Sequence, residues 1–259
     1  MPQTKKQAPH IFKRWKDASA RIGGAKHVRL FLDFDGTLVD ICPTPDEVRM
    51  TPETREILTK LSRHPRFTVA LLSGRRNAVL RKFVRVPRIQ LLGLYGWERN
   101  GRAALLPRTR KTLSRLRRVL RELPGDIPGI RLEEKGVSFA VHFRGASDDA
   151  IRRAKLWMRR RLGFARPEFR ILHSHSTWEI VPREVKGKGA ALRDFMKSLR
   201  PGFLPIYMGD DLTDEPAFHA VRRGISVRVG GHGPTIAQFR LKNPKEVRQF
   251  LERLEKETR

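Results

Sequence analysis

The sequence predicts an α/β protein, a Rossmann-like doubly wound parallel-sheet core with an inserted α+β domain. Three observations carry this. Short apolar runs read as strands buried on both faces, helical stretches alternate with them, and that rhythm breaks over residues 105–182.

The first 25 or so residues are basic and weakly patterned, either a frayed tail or a short helix around Trp15. "VRLFLDF" (28–34) is the first strand. "TPETREILTKLSR" follows as a helix with Thr51 as N-cap and Pro52 in the first turn. "FTVALLS" (67–73) and "IQLLGL" (89–94) are the next strands. The insert opens with a helix in which Leu113, Leu116, Leu120 and Leu123 recur at helical spacing, leaving the arginines of residues 108–121 on the solvated face. Strands "IRLEEK" and "VSFAVHFR" around Gly136, a helix at Ile151, and strands "FRILHS" and "TWEIVP" complete it. The core resumes with "LPIYMG" (204–209) and "ISVRV" (225–229). The expected division is therefore a core of residues 1–104 and 183–259 and an insert of residues 105–182.

At 259 residues and 39% hydrophobic content the chain can bury a sizeable core. No apolar run approaches the roughly 18 residues of a membrane span, and "MPQTKKQAPH" lacks the apolar stretch of a secretory signal. One cysteine, Cys42, cannot form an internal disulfide, so a cytoplasmic location and no membrane partner are expected. Lysine and arginine number 55 against 27 acids, a formal +28. That field favours anionic partners without choosing among phosphorylated metabolites, nucleic acid and acidic lipid.

Polar clusters close several of the strands. Asp33 and Asp35 in "LFLDFDGTLVDI" end the first, Ser73 in "LLSGR" the second, and Asp210, Asp211, Asp214 and Glu215 in "YMGDDLTDEPAF" a later one, while Lys188 in "KGKGAAL" opens a helix. In a doubly wound sheet such ends converge on one crevice. Carboxylates gathered there repel one another unless a hard cation sits between them, and Mg2+ shared with a substrate phosphate answers that need. A nucleophilic carboxylate, a hydroxyl and a lysine then suit phosphoryl transfer.

Asp33-Phe34-Asp35-Gly36-Thr37, Ser73, Lys188 and Gly209-Asp210-Asp211 together resemble the four ordered motifs of haloacid-dehalogenase-like phosphatases. The finer resemblance is to trehalose-6-phosphate phosphatases, from about Leu30 to Leu254. It rests on "SGR" at 73–75, "LEEK" at 132–135, "VHFR" at 141–144, "WEIVP" before "KGKGAAL", "GDDLTDEPAF" at 209–218, and "TIAQFRL" followed by "EVRQFLERL".

The resemblance implies a Mg2+-dependent hydrolase that converts trehalose 6-phosphate to trehalose and phosphate in trehalose biosynthesis, with the insert as a substrate-recognising cap. It implies Asp33 as nucleophile, Asp35 as general acid and base, and Ser73 and Lys188 as holders of the phosphoryl oxygens. The metal falls to Asp33, the Asp35 main-chain carbonyl and Asp210, with Asp211 and Asp214 behind them orienting metal waters or Lys188. Arg75, Glu133, Lys135, His142, Arg144 and Glu179 are the implied substrate-binding residues, and a trehalose-phosphate synthase is the implied protein partner.

The chain departs from the family pattern in three places. Tyr95 in "GLYGWE" replaces a histidine, Glu179-Ile180-Val181-Pro182 lacks an arginine, and Lys186 competes with Lys188, which is chosen because Gly189-Ala190 follows it. Bland readings stand beside several residues. Asp214 and Glu215 suit a helix cap, Glu133 and Lys135 an exposed strand edge, "HSHS" (173–176) a turn, and "GGHG" (230–233) a loop. Phosphatases of sucrose phosphate or glycosyl-phosphoglycerate share every core motif. A nucleic-acid-binding protein on the same scaffold has only the charge in its favour, so nucleic acid is not an expected partner.

Overall fold

The computed structural model describes residues 8–42, 47–99, 104–123, 127–174, 177–197, 202–231 and 233–257. The chain divides into two units, Met1–Arg102 with Lys186–Arg259, and Ala103–Val185. The strands are β1 (His27–Leu32), β2 (Phe67–Leu72), β3 (Gln90–Gly93), β4 (Glu98–Arg99), β5 (Arg131–Glu134), β6 (Phe139–His142), β7 (Phe169–His173), β8 (Thr177–Pro182), β9 (Phe203–Gly209), β10 (Ile225–Val229) and β11 (Phe239–Leu241). The helices are α1 (Trp15–Gly23), α2 (Pro52–Arg63), α3 (Asn77–Val84), α4 (Pro107–Leu120), α5 (Asp148–Arg161), α6 (Lys188–Lys197), α7 (Glu215–Ala220) and α8 (Pro244–Lys256).

In the first unit the sheet order is β11-β10-β9-β1-β2-β3-β4. All pairs are parallel except β3 with β4. The order reverses at β1, which pairs with β2 on one side and β9 on the other, and such a switch point opens a crevice beyond the strand ends. The strands look uniformly apolar because both faces are covered. Leu30, Leu32, Ile206 and Met208 join one core cluster with α2 and α8 residues such as Leu58 and Phe250. Their neighbours Phe31 and Tyr207 face the other way, with Leu192 of α6 and Phe218 of α7. Thr51 caps α2 as its spacing predicts, its hydroxyl accepting from the Thr54 amide at 3.2 Å.

The weakly patterned N-terminal segment resolves toward the helical alternative. Ile11, Ala18 and Ile22 are buried, and the Trp15 ring meets Phe250 of α8 edge-on at 5.6 Å. The turn expected at 173–176 and the loop expected at 230–233 include residues 175–176 and 232, which lie outside the described residues.

The second unit is an antiparallel sheet, β5-β6-β8-β7. Leu113, Leu116 and Leu120 of α4 and Ala150, Ala154 and Met158 of α5 pack with Phe139, Val141, Trp178 and Ile180 of the sheet. Alternation sends Glu133, His142 and Glu179 to the opposite face, in a register that pairs Glu133 with Ala140 and Ala140 with Glu179.

Candidate active site

The site is built where β1, β2 and β9 end and α6 begins. Asp33 follows β1 directly, its amide donating to the Met208 carbonyl at 2.9 Å, and its side chain is buried. The chain then turns tightly, the Gly36 amide donating to the Val39 carbonyl at 2.8 Å. Gly36 has φ 77°, and a Cβ there would collide with the Asp210 carboxylate. The glycine of the Asp-Gly-Thr motif is thus what lets Asp210 approach β1.

Lys188 stands at the start of α6, 4% exposed, with Nζ 2.9 Å from Asp33 Oδ1 and 2.7 Å from Asp214 Oδ1. Lys186 is exposed, so the structure separates the two candidate lysines. Gly189 permits the placement, since a Cβ would strike the Pro216 backbone of α7. Asp214 is completely buried and fully occupied. Its Oδ1 accepts from Lys188 and from the Tyr207 hydroxyl at 2.5 Å, and its Oδ2 from the Asp211 amide at 2.9 Å.

Asp214 has contacts of both expected kinds: it holds Lys188, and its Oδ2 completes a capping box with Asp211. Asp211 opens the 3-10 turn Leu212–Asp214, its carboxylate accepting from the Leu212 amide at 2.7 Å. Glu215 is no simple cap: it accepts from the Thr235 hydroxyl at 2.7 Å and the Ile236 amide at 3.0 Å, latching the loop after β10.

Ser73 lies one residue beyond β2, buried, with its Oγ accepting from the Arg75 amide at 3.1 Å. Tyr95 is buried in left-handed backbone, φ 60°, and packs so closely on Gly74 that a Cβ there would stand 3.0 Å from its hydroxyl. The residue in the histidine's place therefore borders the Ser73 loop. Arg75 holds Asp35 at two points, Nε to Oδ2 and Nη2 to Oδ1, both 2.7 Å. Its guanidinium lies 5.6 Å from the Phe34 ring centre and 5.3 Å from that of Phe83, which fixes the fork in place.

Burial pushes the Asp33 carboxyl up to about 7; Lys188 opposes this, while Asp214 and Asp35 add to it. Burial likewise raises Asp210, with Asp33 and Asp214 as the charges that repel it. Burial works against the charge on Lys188, but Asp214 and Asp33 outweigh it and hold the ammonium above its ordinary value. The Tyr207 hydroxyl is raised by burial and then by Asp214, so it stays a donor. One oxygen each from Asp33, Asp210 and Asp214 lie within 4.8 Å of one another. With Asp214 committed to Lys188, Tyr207 and a backbone amide, Asp33 and Asp210 are the pair whose repulsion a hard cation would relieve.

Of the residues expected to bind substrate, four share the face of the second unit's sheet opposite its helices, or that face's edge. Lys135 Nζ donates to Glu179 Oε1 at 2.6 Å, and His142 Nε2 lies 2.8 Å from Glu133 Oε2. Glu179 is 5% exposed and its Oε2 is buried without a hydrogen-bond partner among the described residues. Arg144 is exposed in the turn after β6. Arg75, also expected on substrate, is engaged with Asp35. Tyr207 and the Arg75–Asp35 pairing went unnoticed in the sequence. Tyr207 reads there as a core strand residue, and its only signal is a hydroxyl on an otherwise apolar strand, three residues before Asp210.

A family model described as trehalose-phosphatase matches residues 31–245. A trehalose-phosphate phosphatase of Mycobacterium leprae (strain TN) is 33% identical over 256 residues, covering 89% of this chain and 58% of the relative. One from Mycobacterium avium (strain 104) is 35% identical over 266 residues, covering 92% and 66%. The chain thus spans about 58–66% of the length of these relatives. Its fold is similar to that of the C-terminal domain of a Candida albicans trehalose-6-phosphate phosphatase, with TM-score 0.81 and 19% identity over 96% of this chain and 99% of the other. On the match of the family model over most of its length, the chain belongs to the trehalose-phosphatase family.

Proposed function

We propose that the protein is a phosphoric monoester hydrolase that cleaves trehalose 6-phosphate to trehalose and phosphate. The observation that carries this reading is a buried Asp33 held 2.9 Å from the Lys188 ammonium at the sheet's switch point, inside the stretch that matches the family. The Asp33 carboxylate forms a bond to phosphorus as the bond to the sugar oxygen breaks, giving an aspartyl-phosphate. Asp35 gives its proton to the departing oxygen and later takes one from the water that attacks this intermediate at phosphorus, releasing phosphate and restoring Asp33. Both Asp35 oxygens are engaged by Arg75, so one of those hydrogen bonds exchanges for the sugar oxygen when the proton moves. Lys188 and the Ser73 hydroxyl take the equatorial phosphoryl oxygens, and Asp214, itself fixed by Tyr207, keeps Lys188 in place.

The acidic pair fits a divalent cation, because two mutually repelling carboxylates sit where Gly36 leaves room for Asp210. Asp33, Asp210 and the main-chain carbonyl of Asp35 would hold Mg2+, which supplies positive charge against the phosphoryl oxygens when bound. In the second unit, Glu133, Lys135 and Glu179 are assigned to the sugar, with His142 and Arg144 beside them. The unpartnered Glu179 Oε2 supports this, since a sugar hydroxyl would satisfy it. The supplying reaction is that of a trehalose-phosphate synthase in the cytoplasm, with which association is part of this proposal.

The test is phosphate release from trehalose 6-phosphate, sucrose 6-phosphate and a glycosyl-phosphoglycerate, with and without Mg2+. Trehalose 6-phosphate leads by at least about tenfold in kcat/KM, roughly 1.4 kcal/mol of differential transition-state binding. A lead by another sugar phosphate moves the specificity, and no Mg2+-dependent turnover on any of them removes the reading.

A further inference from the structure

A cavity in the first unit, of about 800 Å³, lies where the loop after α3 enters β3. This is the amino end of β3, whereas Ser73 follows the carboxyl end of its parallel neighbour β2. Arg81, Arg85 and Arg88 line it together with apolar Ile89, Leu91 and Phe195, and no acidic residue is among its walls. Among the described residues no carboxylate forms an ion pair with Arg81 or Arg88, and Arg85 donates through Nε to the Lys82 carbonyl at 3.0 Å.

The backbone adds an independent observation. Arg85 ends α3 in left-handed conformation, φ 48° and ψ 42°, and Arg88 follows with φ 58°. Glycine or asparagine relaxes such positions, and glycine is the usual residue at the left-handed end of a helix. This chain instead places an arginine at both, within four residues, on the wall of one cavity. Local choices that break a backbone rule in this way concentrate where a side chain serves a ligand.

We propose that this cavity binds an organic anion, its carboxylate, sulfonate or phosphate among Arg81, Arg85 and Arg88 and its apolar body on Ile89, Leu91 and Phe195. Guanidinium groups suit the flat oxygen pairs of such head groups, and a cavity of this size lies within the range of small-molecule sites. The polyhydroxylated sugar of the proposed substrate does not suit an apolar floor.

The whole chain is titrated with 8-anilinonaphthalene-1-sulfonate, followed by fluorescence, and with its uncharged counterpart N-phenyl-1-naphthylamine. The sulfonate saturates one site, and Arg81→Gln with Arg88→Gln weakens its Kd by about tenfold or more, as expected for lost charge-assisted contacts. The double change Arg222→Gln with Lys245→Gln, which removes the same charge elsewhere, leaves that Kd unaltered, and the uncharged dye responds to neither pair. Arg85→Gly separates ligand from fold: Tm holds or rises because glycine relaxes the backbone, while sulfonate affinity falls. Equal weakening by both double variants, or displacement of the dye by inorganic phosphate at matched concentration, overturns the proposal. So does a lower Tm with retained affinity in Arg85→Gly, which makes that arginine a helix cap only.

Discussion

Replacing Asp210 by asparagine removes one negative charge from the acidic pocket while keeping shape and volume, so it isolates the electrostatic cost of the site. The oxygens of Asp33, Asp210 and Asp214 lie within 4.8 Å, where two like charges repel by about 3.5 kcal/mol at an effective dielectric of about 20. Asp210 is repelled by Asp33, Asp214 and, more weakly, Asp211 and attracted by Lys188, so the net is about one repulsion, lowered further by its partial exposure to about 1–3 kcal/mol.

In metal-free buffer at pH 8, Asp210→Asn therefore raises Tm by about 2–6 °C for a chain of this size. The sign follows from the direction of the shifts. Asp33 and Asp210 both hold their protons more tightly folded than unfolded, so their contribution favours the folded state at acid pH and is lost as pH rises, for Asp33 through about 7. The advantage of the variant consequently shrinks toward pH 5. Wild type recovers stability when Mg2+ is added at pH 8, and the variant recovers far less. Differential scanning calorimetry at pH 5 and pH 8, with and without Mg2+, reads all four states. A lower Tm for the variant at pH 8 without metal, or a gain that persists at pH 5, refutes the reasoning.

Asp33→Asn abolishes phosphate release while circular dichroism and Tm report a folded protein, and Asp35→Asn loses most turnover; activity in folded Asp33→Asn rules out the covalent route. Arg75→Met lowers kcat by about 10- to 100-fold, in line with the roughly 1.5–3 kcal/mol of a charged hydrogen bond, with KM little changed, and Arg75→Lys restores part of it. A rise in KM alone returns Arg75 to substrate binding. Alanine at Glu133, Lys135 or Glu179 lowers kcat/KM for trehalose 6-phosphate by about 10- to 100-fold and leaves a small aryl phosphate nearly unaffected; equal losses on both assign these residues to the fold. Neutralising Arg110, Lys111, Arg115 and Arg118 on the exposed side of α4 leaves kcat nearly unchanged and flattens the salt dependence of kcat/KM, whereas a collapse of kcat places some of them in the site.

The core was legible because its strands are buried on both faces. Apart from Arg29 and Thr68, residues 28–32, 67–72 and 204–208 carry side chains that the sheet sends alternately to two helical layers, and a carboxylate or hydroxyl stands out the moment such a strand ends. Asp33, Ser73 and Asp210 are each the first residue past a strand. Segments that depend on others for burial were harder. β11 is three residues long and β4 two, too short for periodicity, and the helix at Trp15 is fixed by its contact with Phe250 far along the chain. The sequence offers the four-stranded sheet as two strand pairs, but its register, which brings Lys135 to Glu179 and Glu133 to His142, emerges only once β6 lies between β5 and β8.

What the sequence could not show is how the site's charges are shared out. A list of motif residues makes Asp210, Asp211 and Asp214 look interchangeable, yet they meet three different environments. Asp214 is wholly buried and closed off by Lys188, Tyr207 and an amide; Asp211 spends an oxygen on starting a turn; Asp210 approaches β1 and Asp33 through the space that Gly36 leaves. The same applies to Arg75, whose guanidinium would serve a phosphate equally well by chemistry alone. Two hydrogen bonds of 2.7 Å and two flanking phenylalanines commit it to Asp35 instead. Each commitment joins residues up to 40 positions apart, and none follows from residue type or spacing. They follow from β1, β2 and β9 ending side by side, which is why a change at Tyr207 or Phe83, neither of them part of a recognisable motif, would reach the reacting groups through Asp214 and Arg75 respectively.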